Sequence, residues 1–237
     1  MKHPSPIKPI YVWQLPVRFF HMINALAILV LMITGVYIGN PFVSPQAFSA
    51  TPAFLMGYVR EIHFIAGYIF AANLMLRLYW AFAGNKNSRI NVLKKSFWTG
   101  KFQMLKYYLF IDRKHPHYLG HNPMAEFGYL TCIGLGGIIL CLTGFFMLFE
   151  IRPHSTAFAM FSWMMVFSEN SIWMHYIHHW LAWGIMVFIV IHVYMAVRVD
   201  ALDKDGALTS IFTGYKFTHD EDEEHAAKAK GKGEIAS

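Results

Sequence analysis

The sequence predicts an all-α integral membrane protein organised as a four-transmembrane-helix bundle. Three observations carry that reading. Of 237 residues, 56% are apolar and only 14% charged, against roughly 25% charged in an ordinary soluble domain. Mean hydropathy is +0.37. The apolar residues gather in four stretches, each long enough for the ~20 helical residues that cross a bilayer. The same composition excludes a disordered chain, and two cysteines exclude a disulfide scaffold.

The first stretch, Val17–Ile38, is longer than the apolar core of a signal peptide, and no small-residue cleavage site follows it. It is expected to remain as a helix. The others are Tyr58–Ala83, Met124–Phe149 and Ile177–Val199. All are rich in Leu, Ile, Phe, Met and Ala without the alternation of barrel strands, so helices are predicted throughout.

The net charge of +6 is a topology signal, not a nucleic-acid footprint. The link between the second and third stretches carries Lys86, Arg89, Lys94, Lys95, Lys101, Lys106, Arg113 and Lys114 against one acid, Asp112. The link Gly39–Gly57 has no Lys or Arg, and Glu150–His175 has only Arg152. By the positive-inside rule the basic link is cytoplasmic, and with four spans both termini are too. Arg18, Lys2, Lys8, Arg198 and Lys204 agree. The expected location is the cytoplasmic (inner) membrane, crossed several times.

Between the spans, Val92–Phe110 mixes Lys with aromatic residues in the manner of an interfacial segment. Thr156–Trp173 is poor in charge, which suits an outer interfacial helix or a surface for a partner subunit. A bundle domain is expected over residues 1–218 and a disordered, charged cytoplasmic tail over 219–237. No internal repeat is visible.

Of 13 histidines, His21, His63, His178 and His192 lie within predicted spans. An ionisable ring in a transmembrane helix is a functional candidate by default. The competing reading for any one of them is a histidine hydrogen-bonded to a neighbouring helix. Taken together, the set has a pattern. His178 and His192 are 14 residues apart, which at ~100° and ~1.5 Å per residue puts them within ~40° of one face and ~21 Å apart along the axis. His179 falls ~140° from His192, so His178 is the better candidate. With helices one and three running outward and two and four inward, His63 and His178 share an outer level. His21 and His192 share an inner one.

Two imidazoles at each of two depths are what two six-coordinate haems require. The expected fold class is thus a four-transmembrane-helix bundle binding two b-type haems, with His21, His63, His178 and His192 on the irons. No C-x-x-C-H occurs, so attachment would be non-covalent. Zinc or copper is the competing reading, but two histidines per level with no cysteine or carboxylate at the same depth make an incomplete zinc shell. Cys132 and Cys141 read as core filler. Gly67, one turn from His63, and Gly35, fourteen residues from His21, are placed to admit a porphyrin plane, although glycine also serves ordinary helix packing. Arg77 and Arg18 are expected to pair with propionates, and Arg60 and Arg198 lie at similar span ends. Snorkelling is the alternative for all but Arg77.

Iron ligated on both sides leaves no position for substrate, so electron transfer is the expected chemistry, with a lipid quinone as acceptor and another subunit as donor. For the quinone, Asn122 and His121 open the third span at the inner level, with Glu126 and Tyr129 one and two turns further in. The plain alternative is a helix start, because proline favours a first turn.

At these residues the sequence resembles the cytochrome b subunit of membrane-bound NiFe-hydrogenases. The matching stretches are W-Q-L-P-V-R-F-F-H-M-I-N (Trp13–Asn24), I-H-F-I-A-G-Y (Ile62–Tyr68), R-L-Y-W-A-F-A-G-N (Arg77–Asn85), G-H-N-P (Gly120–Pro123), H-H-W-L-A-W and I-H-V-Y-M (within His178–Met195), and T-G-Y-K-F (Thr213–Phe217). The resemblance implies a four-helix di-haem anchor bound to the hydrogenase small subunit, and through it to the large subunit. Electrons from hydrogen would pass from the periplasmic side to menaquinone or ubiquinone. It carries the haem ligands onto the same four histidines and points to Asn122 beside the quinone. It also implies an electron-transfer subunit with no hydrogenase active site of its own. A di-haem cytochrome b of another quinone-linked oxidoreductase, of formate dehydrogenase or thiosulfate reductase type, would share these features. A haem-free anchor or transporter would not.

Overall fold

A computed structural model describes residues 7–42, 54–83, 102, 106, 111, 123–167, 170–203 and 206–219. Its elements, in chain order, are strand β1 (Ile7–Tyr11), helix α1 (Leu15–Gly39) and helix α2 (Leu55–Ala83). Then come α3 (Pro123–Gly128), which continues through π-helical turns over Tyr129–Gly136 into α4 (Gly137–Phe149), and the short α5 (Thr156–Ala159). A 3-10 turn over Ser162–Phe167 precedes α6 (Ile172–Asp203), and α7 (Ala207–Thr213) and β2 (Tyr215–His219) close the chain.

Four helical segments are long and apolar enough to span a bilayer: Leu15–Gly39, Leu55–Ala83, Glu126–Phe149 and Ile172–Leu202. Each coincides with one of the four apolar stretches. The helices overrun the apolar cores at their starts, where a bonded first turn can precede the apolar run. Thus α6 begins at Ile172, whose N–H bonds Oδ1 of Asn170 at 3.2 Å. That satisfies one of the donors a helix start leaves open. Thr156–Trp173 is not one interfacial helix. It breaks into α5, capped by the Ser155 hydroxyl accepting from the Phe158 N–H at 3.1 Å, followed by the 3-10 turn.

The chain divides into two compact units. One comprises residues 1–18, 79–131 and 189–237. Within it β1 and β2 pair antiparallel, Ile7 opposite His219 and Tyr11 opposite Tyr215. The pair is locked by the Gly214 carbonyl, which accepts from the N–H groups of Val12 and Trp13 at 2.8 and 3.1 Å. The indole of Trp13 donates to the Ser210 hydroxyl at 3.1 Å. This hairpin was not foreseen from the sequence. It joins segments near the two ends of the chain. It also carries regular structure through Thr218 to His219, one residue into the segment expected to be disordered; the rest of that tail lies outside the described residues.

The other unit comprises residues 19–78 and 132–188. Its α2 face is a stripe of buried Ala66, Phe70, Ala71, Asn73, Leu74 and Arg77. Gly137 lets α4 come close to that stripe: a Cβ there would lie 3.1 Å from the Phe70 ring. Phe146, fully buried, packs with Met164 and Met174 and with the flanking Phe158 and Phe161. The outward faces are covered with exposed Leu, Ile, Val, Phe and Trp side chains, which in a bilayer meet lipid instead of water.

Candidate functional site

The clearest constellation lies in the second unit, around His63 of α2 and His178 of α6. Nδ1 of His63 is 2.8 Å from Oγ1 of Thr34. Nδ1 of His178 is 2.9 Å from Oγ1 of Thr143. Each threonine has one hydroxyl proton, and in each case a helix carbonyl four residues back takes it. Thr34 donates to Val30 at 2.7 Å, and Thr143 donates to Ile139 at 2.8 Å. Where that proton stays on the carbonyl, the hydroxyl oxygen accepts from the ring and the imidazole carries its own proton on Nδ1. The Leu140 carbonyl offers the His178 ring a further acceptor.

That choice of tautomer has a chemical consequence. With Nδ1 protonated, the Nε2 lone pair of each ring is left for a metal, and the bond made by one ring nitrogen sets what the other presents. Among the described residues no side chain hydrogen-bonds Nε2 of either ring. Both rings are half-buried, and they lie within electrostatic reach of one another.

Glycine makes the room for these rings. A Cβ on Gly35 would lie 3.4 Å from Cε1 of His63, and one on Gly144 would lie 3.3 Å from Cε1 of His178. Gly35 thus lies beside the imidazole of His63 on the next helix, a neighbour that spacing within its own helix does not reveal. An added Cβ on Gly67 meets nothing within 4 Å. His179 points elsewhere from His178: its Cε1 would lie 2.7 Å from a Cβ on Gly39, in keeping with the different face its position predicts.

Other predicted positions take separate places. His21 is exposed and belongs to this second unit, and His192 is exposed and belongs to the first. Arg77 is 8% exposed on the buried stripe of α2. One turn earlier, Asn73 is 3% exposed. Its amide donates to the Phe20 carbonyl at 2.9 Å and to Oδ1 of Asn24, fastening α2 to α1. In the first unit, the Arg18 guanidinium donates to the Phe212 carbonyl, so this side chain already ties the start of α1 to α7. Arg60 lies over the Phe64 ring, 5.9 Å from its centroid. Glu126 and Tyr129 are half-buried near the start of the third span. His121 and Asn122 lie outside the described residues. Cys132 and Cys141 are free thiols.

Thr34, Thr143, Gly144, Asn24 and Asn73 were missed from the sequence. The available signal was the dipeptide Thr-Gly, at Thr34-Gly35 and Thr143-Gly144, but it also occurs outside the spans at Thr99-Gly100 and Thr213-Gly214. Only the fold separates the two that matter.

Four apolar spans, with two half-buried imidazoles each against a threonine hydroxyl of a neighbouring helix, define a membrane helical bundle. Residues 12–214 match the family model described as prokaryotic cytochrome b561, and the chain belongs to that family. It is 39% identical over 215 residues to a probable Ni/Fe-hydrogenase B-type cytochrome subunit of Cupriavidus necator, covering 89% of this chain and 88% of that protein. The like-named protein of Rhizobium leguminosarum bv. viciae is 36% identical over 220 residues, covering 90% and 91%. A probable Ni/Fe-hydrogenase 1 B-type cytochrome subunit of Escherichia coli K12 is 37% identical over 217 residues, covering 87% and 90%. The chain is thus a multi-pass b-type cytochrome with an electron-transfer role.

Proposed function

We propose that the chain is the di-haem membrane anchor of a periplasmic NiFe-hydrogenase, carrying electrons from the hydrogenase small subunit across the inner membrane to a quinone. One observation supports the haem assignment: Nδ1 of His63 and Nδ1 of His178, on two helices, each lie beside a threonine hydroxyl that has its own helix carbonyl as acceptor, and in the Nδ1–H tautomer this leaves Nε2 of each for iron. Haem b, when bound, supplies a one-electron carrier. Held by a histidine from each of two helices, it would offer no place for hydrogen, oxygen or another substrate. His63 and His178 would hold the outer haem. His21 and His192 would hold the inner one, on the depths that their sequence positions assign.

The remaining roles follow from position. Arg77, buried at the inner part of α2, would meet a propionate by a charge-assisted hydrogen bond. Arg18 would do so only by sharing its guanidinium with the Phe212 carbonyl. Asn122 and His121 would bind the quinone and deliver protons from the cytoplasmic side, with Glu126 and Tyr129 along the same helix. The termini would be cytoplasmic, in line with the basic link between the second and third spans. The hydrogenase partner is supported by the names of the relatives, which align along nearly the whole chain.

The test is a dithionite-reduced minus oxidised spectrum, with haem counted per chain, on the protein isolated with its native partners. Two haem b are expected. His63→Ala and His178→Ala should each remove one, while His179→Ala keeps both. If the two His63 and His178 variants retained a full haem complement, the outer-site assignment would be wrong. For the complex in liposomes, hydrogen-driven quinone reduction should build a membrane potential; reduction without a potential would defeat the inner quinone site.

A further inference from the structure

We propose that Thr34 and Thr143 are positioning residues that fix the two axial ligands of the outer haem and hold that haem harder to reduce. This rests on the bis-histidine reading of His63 and His178 given above.

The two seats have one design although no repeat is visible in the sequence. In each, a helix ending on the outer side presents a Thr-Gly pair to a histidine near the start of the following span: α1 to α2, and α4 to α6. The hydroxyls lie 2.8 and 2.9 Å from Nδ1. The glycines leave space in which a Cβ would come within 3.4 and 3.3 Å of the Cε1 atoms. Thr143 is 1% exposed and Thr34 is 7% exposed, so water does not substitute for either hydroxyl. Each threonine spends its only proton on its own helix, and so is committed to accepting.

The hydroxyl then does two things to the ring. It limits rotation, because turning the imidazole breaks the bond to Nδ1 while the glycine backbone bounds Cε1. It also draws the Nδ1 proton outward, which makes the ring a stronger donor at Nε2 and favours the more positive, oxidised iron. Hydrogen bonding around the ligands is one of the means by which a protein sets a haem potential. Two such bonds on one haem act in the same direction.

The experiment uses the full complex carrying Thr34→Val, Thr143→Val, Thr34→Ser or Thr143→Ser. Redox titration is followed in the α-band, and the low-spin ferric signals are recorded by electron paramagnetic resonance. Each valine variant should raise the reduced-to-oxidised ratio of one haem, at a fixed potential, by about fivefold, the equivalent of one ordinary hydrogen bond. The other haem should be unmoved. The g-anisotropy of the affected haem should change, and the serine variants should behave as the parent. A valine variant that loses one haem while its serine counterpart keeps both at parental potentials also supports the proposal. Unchanged potentials and signals in both valine variants would overturn it. So would equal haem loss from valine and serine, which would mean that volume matters and the hydroxyl does not. His63→Ala and His178→Ala in the same series separate the two questions: if they retain both haems, the ligand assignment itself has failed.

Discussion

Oγ1 of Thr143 lies 2.9 Å from Nδ1 of His178, and the same hydroxyl donates to the Ile139 carbonyl at 2.8 Å. The position of a single proton on one side chain thus bears on which nitrogen of another is free. Thr34 and His63 repeat the arrangement on the other helix pair. A histidine placed only to fasten two helices would be satisfied by one bond in either tautomer. Here both rings share one arrangement, a threonine hydroxyl at Nδ1 and a glycine beside Cε1.

The glycines give the first expectation. Gly144→Ala would put a Cβ 3.3 Å from Cε1 of His178, so the ring must shift by a few tenths of an ångström and its bond to Thr143 must bend. Partial loss of one haem, or a changed ferric signal from it, is expected in Gly144→Ala, and a smaller effect in Gly35→Ala, where the spacing is 3.4 Å. Gly57→Ala is the control. Its Cβ meets nothing within 4 Å, and alanine favours helix over glycine by roughly 1 kcal/mol. Haem content should be parental there. Equal loss in all three variants would show that the seats are not what matters.

Hydropathy was enough to find all four spans, and helical periodicity to set His178 and His179 on different faces, because both signals are local to one helix. What they could not reach were relationships between helices. Gly35 was compared with His21 on its own helix, while its neighbour is His63 on the next. Asn24 and Asn73 passed unnoticed beside the charged residues and histidines, since a neutral amide barely alters the hydropathy of a span. The pairing of Ile7–Tyr11 with Tyr215–His219 joins segments about 200 residues apart, and five-residue strands carry little signal without their partner. The π-helical turns at Tyr129–Gly136 leave no mark in an evenly apolar sequence.

Asn73 gives the second expectation. Its amide bridges the Phe20 carbonyl and Asn24. Interhelical hydrogen bonds in membranes are worth about 0.5–2 kcal/mol. Asn73→Leu should destabilise the bundle by about that much, because Asn24 is then buried without its donor. Adding Asn24→Leu should recover part of the loss, as removing both partners costs less than stranding one. Denaturation in mixed micelles would measure it. Purely additive losses would mean that the two amides do not act as a pair.

The terminal hairpin depends on Gly214, which has φ of 88°. A Cβ there would lie 2.6 Å from the Tyr11 ring and 3.0 Å from the Trp13 carbonyl. Gly214→Ala should therefore open the β1–β2 pair at a cost of about 1–3 kcal/mol. Faster hydrogen exchange or proteolysis at residues 7–13 and 214–219 would report it. His63 and His178 belong to the other unit, so the haem they would hold should persist. Unchanged protection at both ends would rule out the lock formed by the Gly214 carbonyl.

Phe146 supplies the last expectation. It is the largest fully buried side chain, at 0% exposure, and it fills the space between Met164, Met174 and the Phe158 ring, whose centroid is 5.7 Å away. These contacts pack the connection between α4 and α6 against Met174, one turn before His178, and so help to set where α6 begins. Truncating a phenylalanine in such a place costs about 3–5 kcal/mol. Phe146→Ala should accordingly lower the thermal midpoint of the purified complex and release one haem earlier than the other on heating. Phe146→Leu, which keeps most of the volume, should restore most of both. A uniform loss of the two haems in Phe146→Ala would mean that this cluster stabilises the bundle generally and does not specifically brace the helix that carries His178.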